Sequence, residues 1–290
     1  LLKKINSKVS LNTPDLWKKK FPIPTCETHK YHRGHLLIAG TKNMVGATQL
    51  AALSARRVGA GLTTIAAPKE TYATYQSGFP GNLTTLVNSC NEWKNQINDS
   101  KKTNILIGPG IENSDLSKDF VLAALNSKKS VVLDADGISI FKNKPLQLFY
   151  QTKKHHILTP HEGEFDRVFK YKGNNIKKAQ KAAKRSGAII FLKGSTTIIA
   201  HPNGDVVIND TGTPYLATAG SGDVLSGIIA GLISQDMPPF NASCAGAWIH
   251  GKTAEFFGPG LIAEDIQTQI PKVLEEIINY SNKDKNHYYW

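Results

Sequence analysis

The chain has 290 residues, 40% of them hydrophobic and 20% charged, which excludes wholesale disorder and allows a core without disulfide staples. Cys26, Cys90 and Cys244 stand far apart and are odd in number, excluding a disulfide framework or a cysteine zinc site, and no apolar run reaches the roughly 18 residues of a membrane span. The formal net charge of +12 is dispersed, with few aromatics among the basic residues, so it fits a solvated surface that attracts anionic small molecules rather than a nucleic-acid partner.

Residues 1–30 form a basic, polar lead-in. It has no signal-peptide core, and its lysines and Asp15 count against a transit peptide, so a cytoplasmic location is expected. Thereafter β-rich runs alternate with helical segments. Residues 35–39 read as a strand, 46–58 as a helix with Leu50, Ala51, Ser54 and Val58 on one face, and 62–66 as a strand closed by Pro68. Residues 104–107 form another strand and run into Gly108-Pro109-Gly110; Ser114 or Asp115 is placed to cap a helix reaching about Leu125. The strand at 130–133 ends at Asp134 and Asp136, and 156–158 leads into Thr159-Pro160. Residues 177–186 form a basic amphipathic helix stopped by Gly187. Next come a strand at 188–192 and a hairpin of 196–200 and 206–208 about Pro202-Asn203-Gly204, then helices at 223–233, 242–257 and 263–280.

Strands separated by helices imply right-handed crossovers, hence an α/β fold with a mainly parallel central sheet flanked by helices on both faces. One domain is expected over 31–282, followed by a polar tail at 283–290. Ligands of such sheets lie beyond the carboxyl ends of the strands. There Gly40, Gly108, Gly110, Asp134, residues 159–164, Lys193 and Gly194 gather.

The strongest local signal is Thr218-Ala219-Gly220-Ser221-Gly222-Asp223 before an apolar helix. Small residues let amides point into one concavity at a helix N-terminus, suited to a phosphate or a developing anion. Asp223 there either accepts a proton from an attacking hydroxyl or caps the helix. Lys193-Gly194-Ser195-Thr196-Thr197 offers a cation and three hydroxyls for a nucleotide, or is a surface hairpin with a solvated lysine. Its spacing is not that of a P-loop. In Thr159-Pro160-His161-Glu162-Gly163-Glu164, Glu164 suits Mg²⁺ and His161 a substrate hydrogen bond, unless the two glutamates only open a helix. Asp134 and Asp136 are a second source of carboxylates, or caps. The glycines at 40–46 and 59–61 are not G-x-G-x-x-G, so hydride-transfer chemistry is unsupported. His29, His32, His35 and His250 lack metal-ligand spacing, and the cysteines lack the context for thiol catalysis.

In ordered combination these blocks resemble the NAD(P)H-hydrate dehydratase family, a branch of the ribokinase-like fold. The likeness spans roughly residues 30–274 and includes Lys30 to Gly61, Gly108-Pro109-Gly110, Asp134-Ala135-Asp136, the runs from Thr159 and Lys193, and Asn209 to Leu225. The resemblance implies repair of NADH or NADPH hydrated on the nicotinamide ring. The S-epimer would be dehydrated at the expense of ADP or ATP, by phosphorylation of the ring hydroxyl and elimination. It implies Ala47, Gly110, His161 and Asp223 on the hydrated dinucleotide, with Asp223 as the base. Lys193, Gly194, Ser195, Thr196, Thr197 and Gly222 would hold the nucleotide, Ala219, Gly220, Ser221 and Gly222 would form an anion hole, and Glu164 would hold Mg²⁺.

Glu112 and Glu162 stand where the family often has glycine and proline. The fused N-terminal epimerase domain of many bacterial relatives is expected to be absent, which implies a separate epimerase partner. The family also implies a homo-oligomer, a tetramer or larger. Two rivals stand beside this reading: a ribokinase-like kinase of a vitamin precursor, and a basic nucleotide- or nucleic-acid-binding protein without catalysis. The intact Asp223 argues against the second.

Overall fold

Strand β1 (Val9–Leu11) is followed by β2 (His35–Ala39), every residue of which is buried. Leu36 and Ile38 enter one core while Leu37 and Ala39 enter another, because side chains alternate along a strand and this one is covered on both faces. The other strands are β3 (Leu62–Ala67), β4 (Leu83–Leu86), β5 (Asn104–Ile107), β6 (Ser130–Leu133), β7 (Ile157–Leu158), β8 (Ile189–Leu192), β9 (Thr197–Ala200) and β10 (Val206–Asn209). In the computed structural model, which describes residues 8–283, they form one ten-stranded sheet ordered β1-β10-β9-β8-β7-β6-β5-β2-β3-β4. Neighbours run parallel except at β8–β9 and β9–β10. The expected hairpin is thus present, with Gly204 at φ +99° in its turn.

The helices are α1 (Val45–Arg57), α2 (Tyr72–Ser77), α3 (Cys90–Asn98), α4 (Asp115–Asn126), α5 (Asp136–Ser139), α6 (Pro145–Phe149), α7 (Glu162–Val168), α8 (Asn175–Ser186), α9 (Ser221–Ser234), α10 (Pro239–Phe257) and α11 (Ala263–Lys283). The core that takes Leu36 and Ile38 is closed by α1, α2, α9, α10 and α11; helices α3 to α8 close the other. Ser114 caps α4 by accepting from Ser117 N, and Gly187 ends α8 at φ +70°, as the sequence predicts.

The sequence predicts no element between 68 and 103, where α2, β4 and α3 form. β4 is a four-residue edge strand with Leu83 and Leu86 exposed, so it shows no inward–outward alternation. The capping box of Ser89 and Glu92 that opens α3 is a legible signal. The lead-in does not stand apart, for β1 joins the sheet and Trp17 is buried. Residues 1–7 lie outside the described residues, as does the tail expected at 283–290 beyond Lys283.

Helix α9 crosses α1 at backbone contact distance. A Cβ on Gly227 would lie 2.2 Å from Ala51 O, and one on Gly231 2.5 Å from Ala55 O. Alanine favours a helix over glycine by up to about 1 kcal/mol, but here it meets backbone that must move. Gly227→Ala is therefore expected to lose about 1–3 kcal/mol in urea unfolding. An unchanged midpoint would mean that the two helices separate freely.

Candidate active site

The order of strands reverses between β2 and β5, the position where open α/β sheets bind ligands. The loops leaving these two strands meet there. Gly110, at φ +70°, lies so close to the loop after β2 that a Cβ on it would be 2.7 Å from Met44 Cβ. Ala47 N donates to Met44 O at 3.1 Å. Ala47 and Gly110, far apart in sequence, therefore share Met44 as a neighbour. Asn43 Nδ2 also joins the loops, donating to Glu112 Oε1 at 2.8 Å.

Next along the edge come the ends of β6, β7 and β8. Gly108 adopts φ +130° because its Cα abuts the chain at Asp134, where a Cβ would sit 1.9 Å from Asp134 O. Asp134 is 1% exposed. Its Oδ1 accepts from Lys193 Nζ at 2.7 Å and from Ala135 N at 2.8 Å, and its Oδ2 accepts from Ser226 Oγ of α9. Asp134 is thus the buried counter-ion of Lys193. Burial opposes the charge on Lys193, but Asp134, then Glu164 and Asp223, outweigh it and raise the ammonium pKa. Gly222 lies beside that ammonium, for a Cβ on it would be in ordinary contact with Nζ at 3.5 Å.

The turn before α9 follows from its small residues. Gly220 takes φ +86° as the N-cap, with Leu50 of α1 and Ala263 against it, and no side chain caps the helix. The reading of Asp223 as a cap is thereby removed. Among the described residues its half-buried carboxylate accepts no hydrogen bond. Burial first, then the negative charge of Asp134, raise its pKa to about 6, with Lys193 pulling the other way. His250 braces the turn: its Nε2 lies 3.0 Å from Ser221 O and 3.1 Å from Ser221 Oγ. Burial lowers the His250 pKa to about 4, so the ring is neutral and donates from Nε2.

His161 and Glu164 form a reciprocal cap on α7. His161 Nδ1 accepts from Gly163 N at 3.0 Å, and Glu164 Oε2 accepts from His161 N at 2.8 Å. The helix-opening reading of this block therefore holds. It leaves Glu164 Oε1 3.4 Å from His161 Nε2, with its charge felt at both Lys193 and Asp223. Among the described residues no three His, Cys, Asp or Glu side chains converge as a metal cage. A lone carboxylate such as Glu164 supplies one oxygen ligand, the donor set of a Mg²⁺ ion held mainly by phosphates and water rather than caged by protein.

Beside the turn lies a cavity of about 720 Å³ lined by His161, Lys193, Gly194, Ser195, Thr197 and Gly222. The loop 209–214 and Ala247, His250 and Gly251 of α10 complete its wall. Thr196 is exposed at the tip of its turn and is not among the lining residues. Nor are Ala47, Gly110, Glu164, Ala219, Gly220 or Asp223. Two groups thus emerge, a cavity on the Lys193 side and a loop pair at the strand reversal, with the α9 turn touching α1 between them. Sequence reading missed Ser226 altogether and considered His250 only as a metal ligand. The alternation Gly222, Ser226 at helical spacing was the available signal for the first.

Residues 35–275 match the family described as NAD(P)H-hydrate dehydratase. The ADP-dependent (S)-NAD(P)H-hydrate dehydratase of Neisseria meningitidis is 32% identical over 83% of this chain and 84% of that protein. The solved ADP/ATP-dependent NAD(P)H-hydrate dehydratase of Bacillus subtilis, co-crystallised with ATP and Mg²⁺, superposes with a TM-score of 0.78 at 28% identity, over 94% of this chain and 99% of that one. The ribokinase of Arabidopsis thaliana shares the fold alone, at TM-score 0.57 and 12% identity over 83% of this chain and 98% of that one. The fold is ribokinase-like, as the resemblance implies. The chain spans about half the length of the bifunctional NAD(P)H-hydrate repair enzymes it also matches; that of Salinibacter ruber is 32% identical over 88% of this chain and 51% of its own.

Proposed function

The chain belongs to the NAD(P)H-hydrate dehydratase family, and from that premise we propose that it dehydrates the S-epimer of hydrated NADH or NADPH, using ADP or ATP as phosphoryl donor. One observation carries the reading. A carboxylate with raised proton affinity and no hydrogen-bond partner among the described residues, Asp223, shares a helix N-terminus with Gly222, whose neighbour is the Lys193 ammonium.

The ring hydroxyl is a poor leaving group, and phosphorylation makes it a good one. Asp223 takes the hydroxyl proton as the hydroxyl oxygen attacks the terminal phosphorus of the nucleotide. Lys193 and the Gly220 and Gly222 amides of the turn, where Ser221 N is taken by Thr218 O at 3.3 Å, stabilise charge on the transferring group. The nucleotide leaves one phosphate shorter. Elimination then breaks the ring C–O bond, releasing inorganic phosphate and a ring proton and restoring the double bond. Mg²⁺, when bound, neutralises phosphate charge, and Glu164 would hold it. Ala47 and Gly110 would line the hydrated dinucleotide, the cavity beside Lys193 to Thr197 would take the adenine nucleotide, and His161, which lines that cavity, would reach the dinucleotide from its side. A homo-oligomer of four or more chains, a separate epimerase and a cytoplasmic location belong to the same proposal and rest on the family likeness. No helix among the described residues is long and apolar enough to cross a membrane.

The test is recovery of reduced-nicotinamide absorbance from authentic S-epimer of NADH or NADPH hydrate with Mg²⁺ and either ADP or ATP. Recovery with one nucleotide names the donor. No recovery from folded protein overturns the proposal, and phosphorylation of a small alcohol instead would establish a kinase.

The acid limb of the rate follows from Asp223. A base works only when deprotonated, so kcat/KM is expected to be flat above about pH 6, where Asp223 is ionised, and to fall about tenfold for each pH unit below. A profile flat down to pH ~4, the ordinary carboxylate range, would remove Asp223 as the base.

A further inference from the structure

Residues 9–17 lie ahead of the family-matched span, yet they are built into the back of the cavity wall. β1 runs beside β10 with Val9 opposite Val206 and Leu11 opposite Ile208. Asn12 N then donates to Ile208 O at 2.8 Å. Trp17, 1% exposed, meets Trp248 of α10 edge-on with ring centroids 5.7 Å apart. Asn12 itself is 3% exposed, and its side chain has every atom engaged. One amide hydrogen goes to Asn209 Oδ1 at 2.7 Å and one to Cys244 O of α10 at 2.8 Å, while its Oδ1 accepts from Trp17 Nε1 at 3.2 Å.

Both ends of this bridge reach the cavity. Asn209 lines it and donates from Nδ2 to Thr211 Oγ1 at 3.1 Å and to Thr211 O at 3.2 Å. Helix α10 lines it through Ala247, His250 and Gly251. The loop is pressed on that helix, for a Cβ on Gly251 would stand 2.3 Å from Thr211 Oγ1. Gly212 N is held as well, by Glu255 Oε1 at 2.9 Å. A loop that must order on binding weakens affinity, and one ordered beforehand does not. Asn12 is one buried amide that grips the loop and the helix together.

We infer that residues 9–17 are a strap that shapes the nucleotide cavity, with Asn12 as the positioning residue acting through Asn209. The inference rests on the proposed assignment of this cavity to the adenine nucleotide. Asn12 touches no substrate, so its loss acts on nucleotide affinity and leaves the chemistry intact.

The experiment is calorimetric titration of the full chain with ADP and with ATP, in the absence of hydrate, for the wild type and for Asn12→Ala, Trp17→Phe, Asn209→Ala and the Asn12→Ala/Asn209→Ala pair. Asn12→Ala is expected to weaken nucleotide binding about tenfold, a change of about 1.4 kcal/mol. Trp17→Phe keeps an aromatic ring in place, removes the Nε1–H donor to Asn12 and some buried bulk, and is expected to weaken binding less; it carries the test if Asn12→Ala does not fold. The double variant should bind no worse than the weaker single variant, because both act through one contact. In the repair assay Asn12→Ala should raise the KM for nucleotide with kcat and the KM for hydrate unchanged. Unchanged nucleotide affinity in folded Asn12→Ala or Trp17→Phe overturns the inference, as does additivity in the double variant. Wild-type protein that binds ADP or ATP but repairs no hydrate defeats the proposed reaction and leaves the strap standing; wild type that binds neither nucleotide defeats the strap.

Discussion

Asp223→Asn is expected to reduce turnover by about 10²–10⁴-fold, the usual contribution of a positioned general base, while both substrates still bind. The asparagine keeps the size of the side chain and removes its proton affinity. Because no hydrogen bond in the described structure takes up the Asp223 carboxylate, the substitution breaks no contact that holds α9. Stability supports the same reading with a definite sign. The folded pKa of about 6 lies above the ordinary 3.8, so the native state binds the proton more tightly than the unfolded chain. The charge on Asp223 therefore opposes folding above pH 6, and that opposition fades as pH falls toward 3.8. At neutral pH the variant should be no less stable than the wild type. Steady-state turnover and urea unfolding measured together decide the matter. Turnover within tenfold of wild type would assign the proton to another group, and a collapse in stability would make Asp223 structural.

Removing Asp134 is expected to have the largest effect on stability at the site. Asp134 is 1% exposed, and its partner Lys193 has a side chain 19% exposed. Taking one member from a buried pair strands the other charge, which costs about 3–5 kcal/mol, so Asp134→Ala should unfold at clearly lower denaturant. Asp134→Asn separates charge from shape. It retains an acceptor for Ala135 N and a partner for Ser226, while Lys193 loses the nearest of the anions that hold its proton. Asp223 also loses the negative neighbour that, after burial, does most to raise its pKa. The acid limb of the pH–rate profile in Asp134→Asn should then move below pH 6. An Asp134→Ala variant as stable as wild type, or an Asp134→Asn profile that stays in place, would show that the pair does not organise the site.

How much of this was legible beforehand depended on whether the signal was local. Helix α4 is announced by Ser114 and α8 is stopped by Gly187, because caps and C-terminal glycines act within one turn of chain. The strands of the buried sheet appear as short apolar runs, and the glycines and acids after them mark its ligand edge. What was not legible had short or weakly patterned elements, such as β4, or needed partners from elsewhere. Asp134 and Lys193 are 59 residues apart, directly after the ends of β6 and β8, with β7 between those strands in the sheet. Ser226 is 92 residues from Asp134. The lead-in reads as detached because the partners that tie Asn12 and Trp17 to the sheet and to α10, Asn209 and Trp248, come from the far end of the chain.

By itself, then, the sequence determined the class of fold, the edge of the sheet where chemistry gathers, and the glycine turn that opens α9, since periodicity, caps and turn residues act over a few positions. The tertiary structure alone decided that Asp223 accepts no hydrogen bond among the described residues and is not a cap, that Lys193 is held by a buried Asp134, and that the segment before β2 packs against β10 and α10 behind the cavity. Those outcomes depend on strand order and burial, which set the distance between charges and the water each retains.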